Sequence, residues 1–312
     1  MKKNIRHFIS YYFNLFLKKF NTIIVFRAGK AIGDQLCITG FIRRIYNKKI
    51  KIFVFTSYPE IFFNNPKIKK TIAIDYSSFI YRMLRFFKGE RIIHFCPQYE
   101  KKSQMDHLRG LNKEMHFIDM LGSTSDFVTH LGHEYANEIF FEKKEVISFN
   151  ARFKDLKPYA LICPTSKKTF TFNKDWGHRN FQRVVDLNPT IKWLQIGFIE
   201  DFLLENVLDY RGKTSLRELF YLVKEANLVI ANEGLHNHIA SSFGTSSITL
   251  LSGFAQSSLF KYKNSYLIHN QKNCEYSPCW KQENCSFRDD LCFKDITPEY
   301  VSEKISEILS AI

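Results

Sequence analysis

Short apolar runs recur along the chain and are separated by longer segments of mixed polarity. The runs are rich in β-branched and aromatic residues, and their length suits buried strands. The segments between them are long enough for crossover connections, which favours parallel sheets. Strands are therefore predicted over residues 22–27, 51–56, 71–75, 91–96, 159–163, 192–197, 228–231 and 247–251.

A polar, charged stretch at 149–158 interrupts this alternation, which then starts again. We place a domain boundary there, and 312 residues are enough for two cores. Helices are predicted over 35–46 and 215–226, the second because Ser215 and Glu218 form a capping box. The fold class is α/β, with two Rossmann-like domains over 22–155 and 156–312. The second domain ends in a four-cysteine segment, 274–292, and a terminal helix.

The first 21 residues predict a separate amphipathic helix with positive charge at both ends. One apolar stripe comprises Ile5, Phe8, Ile9, Tyr12 and Phe16. This pattern suits a helix lying in a membrane interface, and it equally suits a helix packed on its own domain. The segment has no small-residue cleavage site, and the chain has no apolar run long enough to span a bilayer. We expect a cytoplasmic protein that does not span the membrane.

The formal net charge of +14 changes the expectation about partners, because the excess of Lys and Arg lies mostly in the first half. Such an asymmetry indicates an anionic partner there: a nucleic acid, a membrane face or a phosphorylated acceptor. Lysine enrichment from biased codon usage is the alternative. The sequence has no zinc-finger, helix-turn-helix or RNA-binding signature, so no nucleic-acid partner is expected.

The loop between the first strand and the first helix reads RAGKAIGD from Arg27 to Asp34. Its glycines allow a ligand close to the backbone, and open α/β sheets bind ligands at this end of their strands. The spacing matches neither the dinucleotide fingerprint nor a phosphate-binding loop. From the chemistry alone, Asp34 is either a helix cap or a catalytic base.

The segment NEGLHNHIASSFG at 232–244 opens a helix directly after a strand. Free backbone N–H groups at such a helix start bind a diphosphate, and Gly234 permits close approach. His236 and His238 are two residues apart and cannot share a helical face, which argues against a metal pair. His238 is either a packing residue or a supporting residue of the site. Lys174, which follows the loop at 164–168, is a further candidate for a diphosphate contact.

Four cysteines, Cys274, Cys279, Cys285 and Cys292, lie close together near the end of the chain. They suggest a structural zinc site, although the spacing is not that of a zinc ribbon or finger. Buried thiols without a metal are the alternative, and disulfides are not expected in the cytosol.

Taken in order, these segments resemble the bacterial lipopolysaccharide heptosyltransferases, glycosyltransferase family 9. The resemblance spans most of residues 22–301 and rests on the order of several short matches. The matching segments are AIGDQLCIT at 31–39, KDW at 174–176, GKTSLREL at 212–219, EGLHNHIASSFG at 233–244 and the cysteine tail at 274–301.

The resemblance implies the GT-B architecture, in which the two domains face each other across a cleft. It also implies an inverting, metal-independent transfer of heptose from ADP-heptose to the anionic lipopolysaccharide core, with no catalytic cofactor. The first domain would then receive the acceptor and the second would bind the donor. The enzyme would work on the inner face of the cytoplasmic membrane.

Carried over residue by residue, the resemblance makes Asp34 the general base and Lys174 the group that neutralises the diphosphate. By the same resemblance, Glu200 would lie near the donor's ribose, and Glu233 would contact the sugar where the family usually has Asp. The remaining implied contacts are Thr165, Ser166, Gly234, Leu235 and His238 with the donor, and Arg27, Lys30 and Gly33 in the acceptor loop. The alternatives are a UDP-sugar or other nucleotide-sugar enzyme acting on capsule or protein acceptors, a non-catalytic assembly partner with this fold, and a non-catalytic basic binding protein.

Overall fold

The computed structural model describes residues 2–87, 89–95, 116–122, 134–165, 171, 173–270, 274, 277–280, 285 and 292–311. The strands are β1 Thr22–Arg27, β2 Lys51–Thr56, β3 Lys70–Ala73, β4 Ile92–His94, β5 Ala160–Cys163, β6 Trp193–Gln195, β7 Leu208–Asp209, β8 Leu228–Asn232, β9 Ser247–Leu251 and β10 Ser265–His269. The helices are α1 Lys2–Lys19, α2 Ile32–Ile45, α3 Phe79–Phe86, α4 Phe117–Gly122, α5 Lys143–Phe153, α6 His178–Leu187, α7 Leu216–Glu225, α8 Leu235–Phe243 and α9 Pro298–Ser310.

The strands form two parallel sheets, as the apolar pattern predicts. The first has the order β3-β2-β1-β4 and the second the order β10-β9-β8-β5-β6-β7. All eight predicted strands are present with small shifts at their ends, whereas β7 and β10 were not predicted. The boundary at 155/156 falls in a single turn of 3₁₀ helix, Lys154–Leu156, that lies between the two sheets along the chain.

Helix α2 begins at Ile32, three residues before its predicted start, so Asp34 lies in its first turn. The capping box of α7 is confirmed, since the Ser215 hydroxyl accepts from the Glu218 N–H and the Glu218 carboxylate accepts from the Ser215 N–H. Helix α2 therefore presents its N-terminal turn soon after the end of β1, where parallel α/β sheets hold ligands, whereas the start of α7 is capped by its own side chains.

The two domains meet where α2 packs against α8. The approach is close because α2 carries glycine at the contact: a Cβ at Gly33 would lie 3.1 Å from His238 Cδ2. Asn137, in the segment between α4 and α5, adds a second link between the domains, as its Nδ2 donates to the His238 carbonyl at 3.1 Å and to Ser241 Oγ at 3.0 Å. The close approach at Gly33 places the start of α2 against the start of α8.

Helix α1 packs on the first domain through a different side from its predicted apolar stripe. Ser10 and Leu17 are buried, and the Phe13 ring lies 4.5 Å from that of Phe87. The predicted stripe is exposed instead, with side chains from 42% exposed at Ile9 to 63% at Phe8. The helix is therefore packed on its own domain, as one of the two sequence interpretations has it, but the packing side is not the predicted stripe. Across the described part of the chain, no helix has the length and apolar character needed to cross a bilayer.

Candidate active site

A cavity of about 410 Å³ lies between the two sheets. Most of its walls are formed by residues that follow the carboxyl ends of β1 in the first sheet and of β5, β6 and β8 in the second. This is the position that the sequence predicts, because the chain leaves each parallel strand at the same edge of its sheet. The cavity joins the two domains in one site.

Asp34 reaches the cavity from the first turn of α2 and is paired with Arg27 at the end of β1. The Arg27 guanidinium is almost fully buried, and its Nη1 also donates to the Phe95 carbonyl at 3.0 Å. Asp34 does not cap the helix, since the N-cap residue is Ala31 and makes no side-chain capping bond. The helix-cap interpretation of Asp34 is wrong, and its carboxylate is fixed by Arg27 instead.

The loop that carries Asp34 is held by hydrogen bonds to the neighbouring strands. Gln35 Nε2 donates to the Gly29 carbonyl at 2.6 Å, while its Oε1 accepts from the Ser57 N–H at 3.0 Å. Ser57 Oγ accepts from the Gly29 N–H at 3.0 Å and donates to the Ile74 carbonyl at 2.8 Å. These bonds tie the end of β1 to the residues after β2 and β3, so the backbone before α2 is pre-positioned.

On the other side of the cavity, Lys174 and Glu233 form an ion pair with 2.6 Å between Lys174 Nζ and Glu233 Oε1. The Glu233 side chain is fully buried, and its Oε2 has no hydrogen-bond partner among the described residues. Lys174 Nζ also lies 4.5 Å from the centre of the Phe254 ring. A buried carboxylate oxygen beside a cavity needs a donor, and a ligand hydroxyl would supply one.

Helix α8 starts at the same wall. Its N-cap is Gly234, which has no side chain with which to cap the helix, so the first N–H groups are available to an anion. His238 lies one turn further on, with its Nδ1 2.7 Å from Tyr262 Oη and its ring stacked 5.5 Å from Phe117. Burial and the nearby charge of Lys174 lower the pKa of His238 to about 3, so the ring is neutral at physiological pH. His238 thus packs at the domain contact and lines the cavity as well.

Most of the predicted site residues line the cavity together. They are Arg27, Lys30, Gly33, Asp34, Thr165, Lys174, Glu233, Gly234, Leu235 and His238. Glu200 is exposed and is not among the lining residues, whereas the adjacent Asp201 is. Ser166 lies outside the described residues. Sequence reasoning missed Asp201 and Phe198, although their position directly after a predicted strand was a usable signal.

The four tail cysteines do not support the predicted zinc site. Within the described ranges, no group of three or more Cys, His, Asp or Glu side chains is arranged to hold a metal ion. Burial and the other three thiols raise the pKa of Cys292, and the Gly253 N–H hydrogen bond opposes this rise. All four tail cysteines are free thiols, with no disulfide among them.

Comparison with known proteins finds similarity to the same group of proteins as the sequence resemblance. No family model matches the chain. A lipooligosaccharide heptosyltransferase 2 from Campylobacter jejuni is 23% identical over 299 aligned positions, covering 80% of this chain and 93% of that protein. The chain thus resembles the heptosyltransferases over most of its length, which confirms the predicted resemblance.

Two solved structures share the fold. The ADP-heptose lipopolysaccharide heptosyltransferase II of Escherichia coli superposes with a TM-score of 0.63 at 12% identity, covering 93% of this chain and 99% of its own. A glycosyl transferase family 9 protein from Veillonella parvula superposes with a TM-score of 0.66 at 16% identity. The superposition covers 93% of this chain and 97% of that protein. The predicted α/β fold of two Rossmann-like domains around a cleft is confirmed.

Proposed function

We propose that the protein is an inverting glycosyltransferase that moves heptose from ADP-heptose to an anionic lipopolysaccharide core or related bacterial glycan. The observation that carries the proposal is the cavity itself, which brings Asp34 from the first domain opposite Lys174 and the start of α8 in the second. The names of the similar proteins support the choice of donor and acceptor.

In this mechanism Asp34 takes the proton from the attacking acceptor hydroxyl. The carboxylate is accessible from the cavity and held by Arg27, so its position is set before the acceptor arrives. General-base catalysis of this kind contributes about 10²- to 10⁴-fold to the rate. The basic first domain would attract the anionic acceptor.

The second domain would hold the donor and stabilise the leaving group. The N–H groups at the start of α8 and the Lys174 ammonium favour the charge that develops on the diphosphate. Glu233 Oε2 would accept a hydrogen bond from a sugar hydroxyl, which fits its buried position and its lack of a partner among the described residues. These groups supply fixed positive charge without a divalent metal.

The test compares Asp34→Asn with Lys174→Ala on ADP-heptose and a purified core acceptor. Asp34→Asn should lower kcat by about 10²- to 10⁴-fold, because an amide cannot accept the proton, while donor affinity stays unchanged. Lys174→Ala should weaken donor binding and the rate together. Asp155→Asn, an exposed change outside the cavity, is the control.

Near-normal turnover by Asp34→Asn would overturn the base assignment. The anomeric configuration of the product, read by NMR, tests the inverting stereochemistry, and the rate in EDTA tests independence from divalent metal. If EDTA abolished activity and added Mg²⁺ restored it, the proposal that the transfer needs no divalent metal would be contradicted.

We also propose that the enzyme binds peripherally to the inner face of the cytoplasmic membrane. The exposed stripe of α1 lies beside Lys18 and Lys19, a combination that favours anionic lipid surfaces. Helix α3, which joins α1 in one apolar cluster through Tyr81 and Leu84, adds further exposed apolar side chains. These are Phe79, Ile80, Met83 and Phe86.

The membrane test keeps the packing side of α1 intact. A Phe8→Ser, Tyr12→Ser, Phe16→Ser triple variant should lose sedimentation with anionic vesicles while retaining activity on a soluble acceptor. Phe63→Ser, which changes an exposed aromatic elsewhere, is the matched control. Equal vesicle binding by the triple variant and the wild type would contradict the proposal.

A further inference from the structure

An aromatic ring stands exposed at the wall of the cavity, directly after β6. The ring belongs to Phe198, which lines the cavity and is 67% exposed. Its neighbour Ile199 is also exposed, at 55%, but is not part of the cavity lining. A large apolar side chain that faces an open cavity marks a place where a ligand can bury it.

The backbone under this ring is fixed. The Phe198 N–H donates to Asp201 Oδ2 at 2.8 Å, and the Gly197 carbonyl accepts from the Gly212 N–H at 2.9 Å. Gly197 has φ +146°, and a Cβ there would lie 2.5 Å from Asp201 Oδ2, so the tight turn requires glycine. Arg211 adds a bond from Nη1 to the Ile199 carbonyl at 3.4 Å. The ring is thus presented from a pre-organised loop, which lowers the entropy cost of ligand binding.

The position of Phe198 relative to α8 indicates which part of a nucleotide would meet it. Helix α8 follows β8, and in the second sheet β5 separates β8 from β6. Two strand spacings amount to about 10 Å. A diphosphate bound at the start of α8 would extend its nucleoside along the sheet edge, past Thr165 after β5, toward Phe198 after β6. The ribose would then lie between the start of α8 and Phe198, and the nucleobase would reach the Phe198 ring.

We infer that Phe198 is a stacking platform for the nucleobase of the donor and favours a purine over a pyrimidine. The inference rests on the proposed nucleotide-sugar function. Stacking on an aromatic side chain depends on the area of overlap, and the two-ring face of a purine covers more of the phenyl ring. Base stacking of this kind is worth about 5- to 150-fold in affinity when the aromatic residue is replaced by Ala.

The experiment titrates ADP, UDP and inorganic pyrophosphate against the wild type, Phe198→Ala and Ile199→Ala by calorimetry. Phe198→Ala should lower the affinity for ADP by about 5- to 150-fold and the affinity for UDP by less, so that the preference for ADP over UDP becomes smaller. Pyrophosphate affinity should be unchanged, because pyrophosphate has no base. Ile199→Ala should leave all three affinities at the wild-type values. Phe198→Trp should retain tight ADP binding, since the indole offers a larger face.

The outcomes separate this inference from the proposed function. If the wild type binds ADP and Phe198→Ala binds it equally well, the stacking role is wrong and the nucleotide-sugar proposal stands. If Phe198→Ala lowers the affinity for pyrophosphate as much as the affinity for ADP, Phe198 acts through the conformation of its loop, and the inference is again overturned. If the wild type binds no nucleoside diphosphate, both proposals fail.

Discussion

His94, at the end of β4, makes the stability of the first domain sensitive to acid. Its ring stacks on Phe26 with 4.6 Å between centroids and 9° between planes. Burial, followed by the charges of Arg27 and Arg85, lowers its pKa to about 4 from the ordinary value of 6.5. The unfolded chain therefore takes up a proton first as the pH falls below 6.5, so stability is lost between that pH and about 4. For this one group the loss is about 2 kcal/mol from pH 7 to pH 5 and about 3 kcal/mol from pH 7 to pH 4.

The substitution His94→Phe keeps a flat ring against Phe26 and removes the proton site. Urea unfolding at pH 7 and pH 5 should show a free energy of unfolding that falls by about 2 kcal/mol less in the variant than in the wild type. Using the difference between two pH values cancels any packing change that the substitution causes. His7→Gln, on the exposed part of α1, should not alter the pH dependence. Parallel pH profiles for the wild type and His94→Phe would refute the reasoning.

Three further changes test contacts away from the cavity that stabilise the fold. Arg217→Leu should lower the free energy of unfolding by about 3 kcal/mol, because it leaves Glu145 without the paired bonds that join the two domains, and urea titration measures it. Gly40→Ala should cost about 1–3 kcal/mol, since the new Cβ would lie 2.6 Å from Ile118 Cδ1, and an unchanged melting temperature would contradict this. Ser215→Ala should cost about 1 kcal/mol through loss of the α7 cap, which urea unfolding also measures.

Most of the strands were predictable because each is a continuous apolar run, and β1, β5, β6, β8 and β9 are buried on both faces of a parallel sheet. Thr22–Arg27 and Ser247–Leu251 have the predicted bounds, and every residue in them is buried. β10 was missed because Ser265–His269 is an edge strand with only Ile268 fully buried, so its sequence lacks that pattern. The position of Asp34 at the edge of the sheet was predictable as well, because Asp34 follows β1 closely and the end of β1 could be read from its apolar run.

Contacts between side chains could not be predicted from the sequence. The pairing of Arg27 with Asp34 depends on how the intervening loop folds back, and the pairing of Lys174 with Glu233 joins distant segments. Asp201 rather than Glu200 lines the cavity, and its carboxylate accepts from the Phe198 N–H in the tight turn that begins at Gly197. Local spacing carries no information about such turns.

The exposed stripe of α1 has a practical consequence for handling the protein. Rings such as those of Phe8 and Phe16 remain in contact with water, and apolar side chains clustered in this way associate with whatever apolar surface is available. In a purified sample without lipid or detergent, the nearest such surface is the same helix of another molecule. The protein should therefore sediment as larger species as its concentration rises, and detergent should return it to the mass of one chain.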